Sequence, residues 1–318
     1  MPDRTPPHPL SPLPDTPEAR PFFVDNGFLI APGLIAEDEI QLLKEDTLRL
    51  ARGEYQCQGI DPIPHHWNDT EALAGILCIH QPHFVSPVTR RFVRHPAITD
   101  ILSRITAAHL PHWDGSVKCM QSMLFVKPPG FEGQAWHQDE TYIPTRDRSL
   151  IGAWIAIDDA TVENGCLWIL PGSHRSGYLH PQRDHGRPDE FDSSKESFGF
   201  DETGAVPVEV NAGTVVFFNG YLLHRSLKNR SNIHRRVLVN HYMNAWSLLP
   251  WSIEEGEYPA IADRRCIVPV AGNDPYAWKG VQTPPNSVWL RKSNSVIEAE
   301  ELRRNASPQA HEPGPDHR

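Results

Sequence analysis

Apolar positions change their period once along the chain. In the first third they recur at helical spacing. AEDEIQLLKEDTLRLAR places Ile40, Leu43 and Leu50 on one face, with acids early and Arg late, as a helix dipole favours. SPVTRRFVRH offers Ser86 as an N-cap and Pro87 at the first helical position, and Ala97 to Ile105 forms another short amphipathic stretch. After Ser116 the runs shorten and fill with β-branched and aromatic residues: VKCMQSMLFV, SLIGAWIAI, GCLWIL, VPVEV, GTVVFF and RRVLVNHYM. PPG, ENG, PGS and NAG lie between or beside them as turn signals. Short strands in succession, without alternating helices, predict an all-β sandwich or barrel rather than a parallel α/β sheet.

The same pattern sets the domain organisation. Residues 1–20 are Pro-rich and poor in apolar groups, and are expected to be an unfolded arm. Residues 21–291 read as one domain: a helical part over 21–115, a β core over 116–250 and a C-terminal extension over 251–291. Residues 292–318 read as a mobile tail, and the polar, irregular stretch 175–204 as a lid.

Composition narrows the class. The 318 residues are 39% hydrophobic and 22% charged, the balance of a soluble globular protein. A formal charge of −10 argues against a nucleic-acid partner. No apolar run reaches the roughly 20 residues that span a bilayer. The N-terminus lacks the apolar segment of a secretory signal. Five scattered Cys without a CxxC are expected to be reduced thiols, mostly buried, in a cytoplasmic protein.

Candidate chemistry sits in AWHQDETYIP. In a strand, i and i+2 share a face, so His137 and Asp139 aim at one point. The pair alone serves a surface hydrogen bond as well as a metal. His224, just past an apolar strand, supplies a second His, and two His with one carboxylate form the facial triad of non-haem Fe(II) oxygenases. Arg235 opens the next apolar strand eleven residues later, and a buried Arg there requires an anionic partner. Arg236 then faces the other way and is expected at the surface. Trp136 and Glu140 are expected in packing or surface roles. His80 and His83 fall near a helix start and His174 in a turn, without assigned chemistry.

WHQDE, GAWIAIDDATVENGCLWILPGSH and HRSLKNRSNIHRR, in this order, resemble the phytanoyl-CoA dioxygenase family. The resemblance spans about residues 20 to 250 and is densest from Met123 to Met243. It implies a mainly β fold, a double-stranded β-helix (jelly roll, cupin-like) core with N-terminal helices packed outside. It implies an Fe(II)- and 2-oxoglutarate-dependent dioxygenase that uses molecular oxygen and hydroxylates a small organic substrate. The alternatives are a non-catalytic ligand-binding relative, a desaturase or cyclase outcome, and a zinc hydrolase. His137, Asp139 and His224 would be the catalytic iron ligands. Arg235 would pair with the distal carboxylate of 2-oxoglutarate beside Ser226, while Met123, Gln138 and Trp154 would lie near the co-substrate. Tyr142, His180 and His185 are the candidate substrate contacts. Some relatives use an upstream Lys for 2-oxoglutarate, but no Lys occurs here between Lys44 and Lys118, so that contact is lost or replaced. Related halogenases lack the carboxylate, and retained Asp139 favours hydroxylation.

Overall fold

Strands covered on both faces explain the near-continuous apolar runs after Ser116. The computed structural model describes residues 8–55, 60, 63, 66–248, 265–282 and 288–292. Its larger sheet combines β1 (Phe28–Ala31), β2 (Ile76–His80), β3 (Val117–Phe125), β5 (Ile151–Ala156), β10 (Val215–Asn219), β12 (Val237–Asn244), β13 (Val268–Ala271) and β14 (Trp289–Lys292). The order is β1-β10-β5-β12-β3-β2-β14, with β13 also on β3. A smaller sheet runs β4-β11-β6-β9, built from β4 (Gln134–His137), β6 (Leu167–Ile169), β9 (Val206–Val208) and β11 (His224–Ser226). Every pairing between these strands is antiparallel. This is the expected jelly-roll arrangement of two facing sheets.

The period of two sorts each strand of the larger sheet between two cores. Leu29, Ala31, Ile151, Ala153, Ile155, Val215, Phe217 and Leu238 face outward and pack with helix residues such as Phe23, Leu43, Phe92 and Leu102. Phe28, Ile30, Trp154, Ala156, Val216, Phe218, Val237 and Val239 face inward, toward Leu167, Ile169 and Val208 of the smaller sheet. Burial of this kind contributes about 25 cal/mol per Å² of apolar surface removed from water. One sheet face therefore anchors the helices and the other builds the barrel interior.

The helical layer forms where its pattern predicts. α1 (Ala19–Asn26), α2 (Glu37–Ala51), α3 (Asp69–Leu73), α4 (Pro87–Val93) and α5 (Pro96–Ile105) precede β3. α2 carries Glu37, Asp38 and Glu39 in its first turn and Arg49 in its last. Ser86 caps α4 by accepting from the Thr89 N–H at 3.0 Å, with Pro87 behind it. The helical reading of this third was incomplete, because β1 and β2 also belong to the sheet. Each is short and follows a helix closely, so period alone did not separate it.

The Pro-rich arm also departs from expectation. From His8 onward it packs on the domain: Ser11 Oγ accepts from the Ile30 N–H at 3.1 Å, and Arg104 Nη1 donates to the Pro14 carbonyl at 2.7 Å. Proline removes donors and fixes φ, which suits an extended strap as well as an unfolded arm. Residues 1–7 and the tail beyond Lys292 lie outside the described residues. The C-terminal extension is part of the sheet through β13 and β14. Cys78, Cys119 and Cys166 are buried free thiols, and Cys266 is half-buried; Cys57 lies outside the described residues.

The expected lid is held down rather than loose. β7 (Gln182–Arg183) pairs with β8 (Glu196–Ser197), and Arg183 and Arg187 both pair with Glu196. Its far end docks beside β4, where the Gly133 N–H donates to the Glu190 carbonyl and the Asp192 N–H to the Gly133 carbonyl, both at 2.8 Å. On its other side Gly133 meets β11 so closely that a Cβ would lie 1.9 Å from the Ser226 carbonyl oxygen. Neither neighbour is a flexible side chain. Gly133→Ala is therefore expected to lower stability by about 1–3 kcal/mol through overpacking. An unchanged midpoint in urea denaturation would show that β4 and β11 tolerate more separation than this packing allows.

Candidate metal centre and its cavity

The pairing of β4 with β11 sets His137 directly opposite His224. Their ring centroids lie 4.0 Å apart. β4 ends at His137, Gln138 stays extended at φ −127° and ψ 124°, and Asp139 opens a 3-10 turn. The extended Gln138 preserves the i, i+2 relation, so Asp139 returns to the same point although it is no longer in the strand. Asp139 Oδ1 lies 3.5 Å from His137 Nε2 and 3.6 Å from His224 Nε2.

The hydrogen bonds fix the chemistry of these atoms. His137 Nδ1 donates to the Ala135 carbonyl at 2.8 Å, and His224 Nδ1 to the Leu222 carbonyl at 2.9 Å. A carbonyl oxygen can only accept, so in the neutral rings both Nε2 atoms carry lone pairs. Three acceptor atoms thus face one another, all within 4.8 Å, with no donor between them. All three side chains are buried. That arrangement fits a cation and is unfavourable without one. Burial, followed by the neighbouring His224, pushes the His137 imidazole down to about 4, which keeps the ring neutral, with its Nε2 lone pair free, at neutral pH. Burial opposes ionisation of Asp139, but the imidazoles of His224, His241 and His137 outweigh it and hold the carboxyl well below its usual range.

His241 on β12 was not singled out in the sequence. Its Nε2 donates to Asp139 Oδ2 at 2.9 Å, which turns Oδ1 toward the two histidines. Parity would have found it. Once Arg235 is taken as inward, Val237, Val239 and His241 follow on the same side. A register shift between His241 and Tyr242, where β12 meets β3, marks a bulge at this level, a common device beside functional sites.

The triad opens into a cavity of about 440 Å³, the size of a small-molecule site. One end is cationic. Arg235 is buried, lies 5.7 Å from the Trp154 ring centroid, and keeps a buried Nε without a hydrogen-bond partner. No carboxylate of the described residues forms an ion pair with it. Burial pushes its guanidinium down to about 10, still charged at neutral pH. Arg236 faces the opposite side, but it is half-buried rather than a plain surface residue. Its Nε and Nη2 hold Asp158 at 2.7 and 2.8 Å.

Beside Arg235 stands Lys127, which sequence reading passed over. It is buried, and its amine donates to Ser226 Oγ at 3.2 Å and to the Leu227 carbonyl. Burial, then the charge of Arg235, push the amine well below its usual value. An anion at this end would reverse that pressure. Lys127 continues the inward parity of Met123 and Phe125, so the signal was present. From the first third, Leu77 and His80 line the cavity, and no Lys does.

The remaining expected residues divide. Met123, Trp154, Ser226 and Tyr142 line the cavity. Tyr142 gets there because the turn winds it back, and its hydroxyl accepts from Gln182 of the lid at 2.9 Å. Gln138 does not line the cavity. It donates to the carbonyls of Tyr178 and Tyr221 at 2.9 and 2.8 Å and accepts from the His180 N–H at 2.9 Å, so it pins the lid instead of the co-substrate. Nor do the lid histidines reach the cavity. His180 packs on Tyr178 and Phe200, and His185 donates to the Asp192 carbonyl at 2.8 Å. The lid contributes Asp192, Ser193, Ser194 and Lys195 instead. Trp136 is buried under Arg225, and Glu140 is buried with its carboxylate accepting from Thr145, as packing roles predict. His80 ends β2 and His83 lies in the following 3-10 turn, while His174 is in a turn as expected.

Known proteins share both the sequence and the fold. A family model described as Phytanoyl-CoA dioxygenase (PhyH) matches residues 23–237. Phytanoyl-CoA dioxygenase 1 of Oryza sativa subsp. japonica is 32% identical over 177 residues, which is 54% of this chain and 60% of that protein. The match thus spans about three-fifths of the rice protein's length. The peroxisomal phytanoyl-CoA dioxygenase of Bos taurus is 27% identical over 242 residues, 72% of this chain and 68% of that protein. Among solved structures, EctD from S. alaskensis with 2-oxoglutarate and 5-hydroxyectoine superposes with a TM-score of 0.58 at 20% identity, covering 86% of this chain and 89% of that one. The epimerase SnoN, in complex with Fe3+, α-ketoglutarate and nogalamycin RO, gives 0.55 at 20% identity, covering 80% and 95%. Within the described residues no helix is long and apolar enough to cross a membrane. The match over residues 23–237 places this chain in the phytanoyl-CoA dioxygenase family.

Proposed function

We propose that this chain is an Fe(II)- and 2-oxoglutarate-dependent oxygenase that hydroxylates a small organic molecule. The observation that carries the reading is the conjunction, in one cavity, of three converging acceptors with a buried guanidinium and a buried amine. The first set suits a divalent metal, and the second suits a dicarboxylate that reaches from the metal into the barrel. His137, Asp139 and His224 would hold the iron. Arg235 would receive the distal carboxylate through its fork, with Lys127 and Ser226 beside it and Trp154 under the guanidinium. When bound, iron, 2-oxoglutarate and oxygen supply oxidation of a C–H bond coupled to decarboxylation of 2-oxoglutarate to succinate.

The chain's own residues have distinct tasks. The backbone carbonyls of Ala135 and Leu222 hold both ligand rings in the one tautomer that leaves Nε2 free. His241 holds Asp139 in one rotamer. Asp139 occupies the position that related halogenases leave to halide, which favours hydroxylation. The lid, tied down by Gln138 and by Gln182 on Tyr142, covers the site and limits water. A zinc hydrolase would use the same triad but would leave Lys127 and Arg235 without a purpose. A binding protein without activity would have no need of aligned lone pairs.

Purified chain with Fe(II), oxygen and 2-oxoglutarate is expected to form succinate, and a chelator should abolish it. Iron-loaded protein that binds no 2-oxoglutarate would refute the reading. His137→Ala and His224→Ala are each expected to lose metal and turnover, measured by metal content after desalting and by succinate release. Arg235→Leu should retain metal but weaken 2-oxoglutarate by more than about tenfold, since a charged hydrogen bond contributes about 1.5–3 kcal/mol. Lys127→Met should narrow the preference for 2-oxoglutarate over 2-oxopentanoate, which lacks the distal carboxylate. Equal weakening of both compounds would assign Lys127 a purely structural role.

A further inference from the structure

We propose that the substrate of this oxygenase is a small organic carboxylate, and that Arg291 receives its acid group. The inference rests on the reading above and names the substrate class of the same site. Arg291 lies on β14, opposite Cys78 of β2, and lines the cavity. Its Nε and Nη2 are shielded from solvent, yet neither has a hydrogen-bond partner. Among the described residues, the one acid within ion-pair distance is Asp192, with a single contact of 3.4 Å from Nη2 to Oδ2. Asp192 Oδ1 also accepts from the Ser194 N–H at 3.0 Å, and Oδ2 gives Arg291 a charge partner without a hydrogen bond. The fork is therefore mostly unsatisfied, and unsatisfied buried donors are costly.

The surroundings hold the guanidinium in place. It lies 5.7 Å from the Phe125 ring centroid. Two residues earlier on β14, Trp289 stacks on His80 with centroids 3.6 Å apart and planes within 6°. This wall therefore presents a positioned cation over an apolar floor. Arg291 is also separate from the co-substrate end. Its guanidinium lies over Phe125, whereas that of Arg235 lies over Trp154. Tyr142, in the same lining, has its ring centroid 6.4 Å from that of His137.

The cavity wall accordingly carries a second cation, set three strands from β12: Arg291 pairs with Cys78, Cys78 with Phe125, and Phe125 with Val237, two residues from Arg235. Glu132, whose Oε2 is also buried and unpartnered in the lining, disfavours an anion at its own position. A planar carboxylate would meet the Arg291 fork at two points. A phosphate ester offers similar oxygens, and the test separates the two.

The full chain is loaded with Mn(II) and saturating 2-oxoglutarate, so that the Arg235 end is filled. Four probes are titrated: 3-phenylpropionate, 3-phenylpropanamide, 3-phenylpropylamine and 2-phenylethyl phosphate. Relaxation of probe protons by the bound Mn(II) reports only molecules near the metal. The acid is expected to bind at least about tenfold tighter than its amide. Arg291→Gln should bring the two within roughly threefold of each other, and Arg291→Lys should restore part of the gap. Equal binding of acid and amide to the wild type, or a preference that survives Arg291→Gln, overturns the proposal. Tighter binding of the phosphate overturns the carboxylate assignment. Calorimetry of 2-oxoglutarate on the same samples keeps the two readings apart. If 2-oxoglutarate does not bind, the co-substrate reading falls; if it binds without an acid preference, only the role of Arg291 falls.

Discussion

One antiparallel register, His224 opposite His137, is the constraint on which the site depends. It brings two imidazoles together from residues far apart in sequence, on strands whose backbones already supply the carbonyls that fix the tautomers. A one-residue slip in this pairing would turn one ring out of the site. Gly133 belongs to the same constraint. Its missing side chain lets β11 approach on one side while the lid segment docks through its backbone on the other. Metal geometry, strand spacing and lid position therefore share a single strip of backbone.

Electrostatics extends the constraint into the barrel. Asp139 is a buried carboxyl held well below its usual range by the surrounding imidazoles against the cost of burial, and His241 also orients it by donating to Oδ2. Lys127 and Arg235 are two buried basic groups, and the charge of Arg235 adds to burial in pushing the Lys127 amine down; neither has a carboxylate in an ion pair among the described residues. Such charges are tolerated when a ligand completes them. The protein thus carries incomplete charge at the triad and at the Arg235 end of the cavity, a pattern suited to binding rather than to stability.

Much of this was legible in the sequence, because short runs rich in β-branched and aromatic residues and bounded by turn signals mark strands even where both faces are covered. The runs from VKCMQSMLFV to RRVLVNHYM became strands, and the ordered HxD, His224 and Arg235 came together as the family resemblance implied. The misses have physical causes. β1 and β2 are four and five residues long and follow helices, so their period is hard to read. Lys127 and His241 sit on inward parity, but a Lys before a double Pro looks like a turn, and a His inside an apolar strand looks like core. The family resemblance puts Gln138 near the co-substrate, whereas its extended backbone turns it to the lid. The lid histidines were chosen for their chemistry, yet docking beside Gly133 presents Asp192 to Lys195 to the cavity instead. Arg291 lies just before a polar tail, and only pairing of β14 with β2 reveals its position.

The central claim is that the three acceptors form a metal site that completes a 2-oxoglutarate site. Calorimetric titration of 2-oxoglutarate under anaerobic conditions, with and without one equivalent of Fe(II), tests it most directly. The account predicts one Fe(II) per chain and strong enhancement of 2-oxoglutarate binding by the metal, an enhancement absent in His224→Ala. Equal affinity for 2-oxoglutarate with and without Fe(II) would contradict it.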